Sequence, residues 1–127
     1  MARTTERTVA LSELNLRGVI VNTTSSATLY PSDSGITYVN TYVGNVEYTL
    51  PAVADAAGKM FLFVNADDGN MKITSPAADI NAYHATPISL KTSVEYSTNP
   101  EGASCAFISD GTRYLFLNFV GTEPTLI

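Results

Sequence analysis

The chain contains one cysteine, one histidine and no tryptophan, so it is poor in the groups that most catalytic and metal sites use. A lone cysteine cannot form an internal disulfide. A Ser–His or Cys–His mechanism would depend on His84, because the 127 residues hold no other imidazole. Zinc would require several Cys or His ligands. We therefore predict a protein that is not an enzyme and that binds no cofactor or metal.

Charged side chains are also scarce. They make up 15% of the chain, against about 25% in an average soluble domain, and the net charge is −5. No cluster of Lys and Arg occurs, and phosphate groups and anionic membranes both attract such clusters. No apolar run approaches the ~20 residues of a membrane span, and the first ten residues lack a signal peptide's apolar stretch. We therefore expect neither nucleic acid nor membrane as a partner.

Residues 1–17 differ from the rest of the chain. Three arginines and two glutamates give this segment a charge of +1, whereas the remainder carries −6. A short helix over residues 8–14, an extended docking arm, a frayed end and a first strand of the sheet all fit this segment. We predict a docking arm over residues 1–17 and a β body over residues 18–127. The arm residues expected to bind a partner are Arg3, Arg7, Val9, Leu11, Leu14 and Leu16.

From Gly18 onward the sequence has the pattern of β-strands. Residues 36–42 and 46–50 alternate between apolar and polar side chains, and Gly44 with Asn45 between them suits a hairpin turn. Residues 59–64 are apolar on both faces, as in a central buried strand. About eight to ten short strands and no clear helix predict an all-β single domain: an antiparallel β-sandwich, or a jelly-roll or barrel-like fold, with an extended N-terminal arm.

One phrase occurs twice in the chain. Residues 39–51 and 64–76 share the pattern V-N-x-x-x-G-N-x-x-x-T-x-P, at an offset of 25 residues. A solenoid needs at least three copies, and the region after Asp110 shares only the turn residues. We therefore interpret the two copies as equivalent β-hairpins, with an ancient duplication as the alternative.

Two further groups have simple structural explanations. Cys105 alternates with Ala103 and Phe107, which predicts a small core residue. Residues 67–70, Asp-Asp-Gly-Asn, lack the alternating carboxylates and the terminal Glu of an EF-hand calcium loop, so we interpret them as a turn.

Several of these strand and turn phrases together resemble small β-rich structural proteins of tailed bacteriophages. The likeness covers about residues 29–117 and includes both head decoration (cement) proteins and the distal modules of tail fibres and spikes. In such modules a Trp often follows the last S-D-G-T, where this chain has Tyr114. The phrases are YPSDSG at residues 30–35, YVN at 38–40, TLP at 49–51, GKMFLFVN at 58–65, IT at 73–74 and ISDGTRYL at 108–115.

The resemblance implies a trimeric virion protein without catalytic activity, made in the host bacterial cytoplasm. The chain has no long shaft sequence of the kind that tail fibres have, which favours a decoration protein on the capsid surface. Its partners would be the major capsid protein, whose neighbouring subunits it clamps through the arm, and two more copies of itself. Residues 114–120 are apolar on both faces, so we expect a trimer interface there, at Tyr114, Phe116 and Phe119. Alternatively, this strand lies wholly inside one chain.

Two other classes of function stay open. A tail-fibre or spike tip that binds a host receptor or glycan would present exposed Tyr and Asn side chains in loops such as residues 81–86. A weak hydrolase would use His84 or a pair of carboxylates.

Overall fold

The computed structural model describes residues 17–82 and 90–127. These residues form two mixed β-sheets packed face to face, and the predicted all-β sandwich is confirmed. Short 3-10 turns lie at Pro31–Asp33 and Val53–Ala56. The strands are β1 (Gly18–Asn22), β2 (Ser26–Thr28), β3 (Ile36–Asn40), β4 (Val46–Thr49), β5 (Met60–Asn65), β6 (Met71–Thr74), β7 (Ile80–Asn81), β8 (Ser93–Tyr96), β9 (Ser104–Ser109), β10 (Tyr114–Val120) and β11 (Thr125–Leu126).

The first six strands alternate between the two sheets. Sheet A has the order β1-β3-β5-β9-β10-β7, and sheet B has the order β11-β8-β6-β4-β2. Strand β1 is parallel to β3 and β3 to β5, while β2 is parallel to β4 and β4 to β6. The chain therefore winds through three stacked coils, β1–β2, β3–β4 and β5–β6. The expectation of purely antiparallel sheets was wrong for this half, because alternation along a strand indicates its buried face and not the direction of its neighbour.

The repeated phrase marks two successive coils and not two hairpins. Strands β3 and β4 lie in different sheets, and the segment with Gly44 is a corner between them. The register pairs Asn40 with Asn65 and Thr49 with Thr74, each 25 residues apart. The first coil keeps only the Val-Asn pair, and its Asn22 is in register with Asn40. Three copies are therefore present, but the first is too short and too altered to match the full pattern.

Buried asparagines hold the coils in register. The Asn40 Nδ2 donates a hydrogen bond to Asn65 Oδ1 at 2.8 Å, and both side chains are fully buried. The Asn65 Nδ2 in turn donates to the carbonyl oxygens of Gly69, at 2.8 Å, and Pro100, at 3.1 Å. Stacked amides of this kind pair one coil with the next and also satisfy the backbone where each strand ends.

The corners of successive coils also touch. Gly44 has a φ of +127°, and Gly69 lies against its backbone at the same place in the next coil. The Cβ of an alanine at position 69 would overlap the Gly44 carbonyl and lie 3.0 Å from its Cα. Glycine at 69 is therefore required by the close approach of two backbones.

We expect Gly69→Ala to lower the free energy of unfolding by at least about 2 kcal/mol, since the clash is with rigid backbone. Urea denaturation followed by circular dichroism measures it. Gly58→Ala is the control, because Gly58 has a φ of +77° but open space around it. That variant adds a strained backbone, which Gly69→Ala does not have, and no overlap, so its loss gives the cost of strain alone. A Gly69→Ala protein as stable as the unsubstituted chain would contradict the close approach.

The second half of the chain closes the stack with antiparallel strands. Strand β9 pairs with β5 in sheet A, and β8 pairs with β6 in sheet B. The predicted central position of β5 is confirmed, and β9 and β10 form an antiparallel hairpin. In the hairpin turn, Asp110 accepts hydrogen bonds from the backbone N–H groups of Arg113 and Thr112, which lower the pKa of its carboxyl. The open edges of the parallel stack are thus β1 and β2, at the opposite end.

Aromatic rings fill the space between the sheets. Phe63 lies 4.8 Å from Tyr48 and 5.9 Å from Phe107, measured between ring centroids. Burial raises the pKa of Tyr48 to about 12. Cys105 is fully buried beside these rings, as predicted for a core residue, and burial raises the pKa of its thiol to about 12. The thiol therefore stays protonated and shielded from reagents.

Candidate interaction face

The outward surface of sheet B is polar. Along its strands the apolar side chains point into the core, and the alternate positions carry hydroxyl or charged groups. This is the usual arrangement for a sheet that has water on one side. The outward residues include Ser26, Thr28, Glu47, Thr49, Lys72, Thr74, Glu95 and Thr125.

The outward surface of sheet A is apolar. Strands β3, β5 and β9 bury one set of alternate residues in the core, yet the other set is also mostly aliphatic. Among its described residues this face carries no charged side chain, and its polar members are Thr37, Asn81 and Ser104. We call it the apolar face. Its aliphatic residues are Val19, Val21, Val39, Met60, Leu62, Val64, Ala106, Ile108, Leu115, Leu117 and Val120.

The size of the apolar face can be estimated from its strands. Six strands at a spacing of about 4.8 Å span roughly 24 Å, and five residues extend about 16 Å along a strand. The outline of the face thus covers roughly 400 Å². The largest apolar patch on a typical soluble monomer covers about 300–600 Å² and is often functional.

The most exposed aliphatic residues of this face lie at its two sides. On β1, Val19 and Val21 are 62% and 57% exposed. On β10, Leu117 and Val120 are 41% and 61% exposed. In the centre, Leu62 is half-buried by its neighbours, and Ala106 is covered between Leu62 and Leu117, its partners in the register.

Of the three residues predicted to lie at a trimer interface, two lie in the core and one on the surface. Tyr114 is fully buried and Phe116 nearly so, both inside the sandwich of one chain. They present no surface to a partner. Phe119 is exposed, beside the irregular pairing between Asn118 and Val120. The strand is apolar on both faces, as the sequence indicated, and its outward residues are Leu115 and Leu117. The trimer interface stays a prediction.

The other predicted site residues lie outside the described residues. This holds for the arm residues Arg3 to Leu16, for His84, and for most of the loop at residues 81–86. Within the described parts of the chain, no group of three or more His, Cys, Asp or Glu residues is placed to hold a metal ion. The Asp67 carboxylate accepts hydrogen bonds from Gly69 N and Gly44 N across the corner, so its role there is structural.

A shallow cleft of about 240 Å³ lies at the corner end of sheet B. Its residues repeat at the spacing of the coils: Asn70 N donates to Asn45 Oδ1 at 3.0 Å, and Asn70 Nδ2 donates to Glu95 Oε1 at 3.3 Å. Glu47 and Glu95 lie in register on either side of Lys72. No aromatic side chain lines the cleft, and several of its polar groups bond one another.

No protein-family model matches the chain, and a search among curated proteins finds no significant match. In residues 17–82 and 90–127 no helix is long and apolar enough to cross a membrane. The apolar face is the feature of the described residues that most favours a role in association.

Proposed function

We propose that this chain is a capsid decoration protein of a tailed bacteriophage, a trimer that binds the outside of the head and stabilises the shell. The observation that carries the proposal is the contrast between the two sheets: one outer surface is uncharged and aliphatic, the other polar. A protein that acts by adhesion needs such a surface and needs no reactive groups. The phrases shared with phage structural proteins supply the virion context.

The arm would supply the contact with the capsid. Arg17 belongs to the body, because its backbone N–H donates to Gly35 O at 3.0 Å and its guanidinium to Ser32 O. Residues 1–16 therefore join the body directly before β1. Three arms on one trimer engage the shell together, and apolar burial at about 25 cal/mol per Å² adds up across them. Clamping several major capsid protein subunits at once opposes the outward pressure of the genome.

Deletion of residues 2–16 tests whether the arm binds the capsid while the body forms the trimer. Arg17 and its bonds to the body are kept, so we expect a folded trimer that no longer cosediments with undecorated capsids. The full-length chain, mixed with the same capsids, is the control and should saturate a fixed number of sites. Cosedimentation of the truncated trimer at full-length affinity would show that the arm does not carry capsid binding. If the full-length chain also stayed in the supernatant, the decoration function itself would be overturned.

A tail-tip module that binds a host glycan is the second candidate. The cleft on sheet B favours it, since amide and carboxylate groups such as Asn45, Asn70 and Glu95 suit sugar hydroxyls. This function predicts binding of the full-length chain to host cells and none to capsids.

A further inference from the structure

We infer that the body meets the capsid with the end from which the arm departs, and that the Tyr30 side chain anchors this contact. The inference rests on the proposed function for its partner, the major capsid protein, and names the surface of the body that this partner covers. A tyrosine side chain fits a pocket that has apolar walls and a polar group near the phenol hydroxyl. A pocket of that chemistry on the shell is therefore the binding site for Tyr30.

The strand directions place the connecting segments at two opposite ends of the sandwich. Strands β1, β3 and β5 begin at one end, where β9 finishes and β10 begins. Strands β2, β4 and β6 of sheet B finish at this same end, because the chain passes from there into the next strand of sheet A. We call it the arm end, and it consists of residues 29–35, 50–59, 75–79 and 110–113. The opposite end, with the corners at residues 41–45 and 66–70, is the corner end.

One turn at the arm end connects the arm to Tyr30. Residues 1–16 meet the body at Arg17, whose backbone N–H donates to Gly35 O at 3.0 Å and whose guanidinium donates to Ser32 O. Both acceptors belong to the turn over residues 30–35, and Tyr30 is its first residue. An arm that is bound to the shell therefore keeps Tyr30 close to the shell as well, at a high effective concentration.

The same turn holds the Tyr30 ring out toward water. Leu29, directly before it, is buried in the core, and its backbone N–H donates to Thr49 O at 2.8 Å. The Tyr30 N–H donates to Asp33 Oδ2, and the Asp33 N–H donates to Tyr30 O, both at 2.8 Å. The Tyr30 side chain is 63% exposed, more than any other aromatic side chain in residues 17–82 and 90–127. A tyrosine on a fixed backbone loses little conformational entropy on binding, and such residues often carry much of an interface's binding energy.

The charged groups beside Tyr30 are bonded within the body. The Asp33 carboxylate accepts the Tyr30 N–H, and the Arg17 guanidinium donates to Ser32 O. The ring is therefore the group that this turn offers to a partner, and the contact that it makes is mainly apolar.

Tyr30→Ala tests the anchor with the arm left complete. The variant and the unsubstituted chain are titrated against undecorated capsids, and binding is measured by cosedimentation. We expect the affinity of Tyr30→Ala to fall at least about tenfold, because truncation removes the contacts of the ring with its pocket. Tyr30→Phe keeps the ring and should bind more tightly than Tyr30→Ala. Val43→Ala is the matched control, since Val43 is 83% exposed but lies at the corner end, and it should bind like the unsubstituted chain.

A bulky label tests which end of the body faces the shell without changing Tyr30. Thr112→Cys places an exposed thiol at the arm end and Val43→Cys places one at the corner end, while Cys105 is buried and stays unlabelled. After reaction with a polyethylene glycol maleimide, the Thr112→Cys protein should no longer bind capsids, and the Val43→Cys protein should still bind. Both variants should bind before labelling. Circular dichroism and thermal melting report whether each variant is folded.

The outcomes separate this inference from the proposed function. If the unsubstituted chain does not bind capsids, decoration fails and the inference fails with it. If the unsubstituted chain binds and Tyr30→Ala binds equally tightly, Tyr30 is not the anchor. If the labelled Thr112→Cys protein binds and the labelled Val43→Cys protein does not, the corner end faces the shell. Either of these last two results overturns the inference and leaves decoration standing.

Discussion

Asn65→Ala is expected to lower the free energy of unfolding by about 3–5 kcal/mol, one of the largest losses for any substitution in this chain. The side chain is fully buried and donates to Gly69 O and Pro100 O while it accepts from Asn40 Nδ2. Alanine leaves the Asn40 amide and the Pro100 carbonyl unpaired in the core, and the Gly69 carbonyl unpaired in a partly buried position. Each unsatisfied buried group costs about 1–3 kcal/mol. Equilibrium urea denaturation, followed by far-UV circular dichroism, measures the change.

Asn45→Ala is the matched control for this prediction. Asn45 is an exposed asparagine at a corner of the same stack, and water can replace its bond to Asn70 N. We expect a loss of no more than about 0.5 kcal/mol. Equal losses for the two variants would mean that the buried amides do not hold the coils together.

The asparagines also explain which part of the fold could be predicted from the sequence. The alternation in residues 36–42 and 46–50 predicted the strands and their buried faces correctly, because burial depends on the local pattern of side chains. The pairing was wrong, because a Gly-Asn turn suits a hairpin as well as a corner between sheets. The Val-Asn pair at Asn22, Asn40 and Asn65 was the available signal: a buried amide recurring at strand ends indicates stacked coils.

The sequence predicted that residues 114–120 have more apolar side chains than one face needs, but not which of them lie on the surface. A strand whose side chains are apolar on both faces has more apolar surface than one side of a sandwich can bury. On this ground we predicted an interface near residues 114–120. Which of the two sets of alternate side chains faces outward depends on the partner sheet, and the sequence does not specify it. Large aromatic side chains look like interface anchors, yet the core of this chain uses Tyr114 and Phe116. The smaller Leu115 and Leu117 lie outside. The arm and its capsid contacts stay predictions.

Two neighbouring residues on β5, Phe63 and Leu62, distinguish the side chains of the core from those of the apolar face. Phe63→Ala is expected to cost about 3–5 kcal/mol of folding free energy, since the ring is fully buried and packs against Tyr38, Tyr48 and Phe107. Leu62→Ala, one residue away on the apolar face, should cost only about 1 kcal/mol within one chain.

The concentration dependence of unfolding distinguishes these two effects. The melting temperature of a trimer rises with protein concentration, because dissociation and unfolding are coupled. We expect Phe63→Ala to lower the melting temperature at every concentration and to keep that slope, since it removes contacts inside one chain. If the proposed trimer buries the apolar face, Leu62→Ala should lower the melting temperature most at low concentration, where the weakened trimer dissociates first. Thermal scans over a hundredfold range of concentration measure both. If Leu62→Ala cost as much as Phe63→Ala at all concentrations, Leu62 would belong to the core of the single chain, and the apolar face would not be an interface.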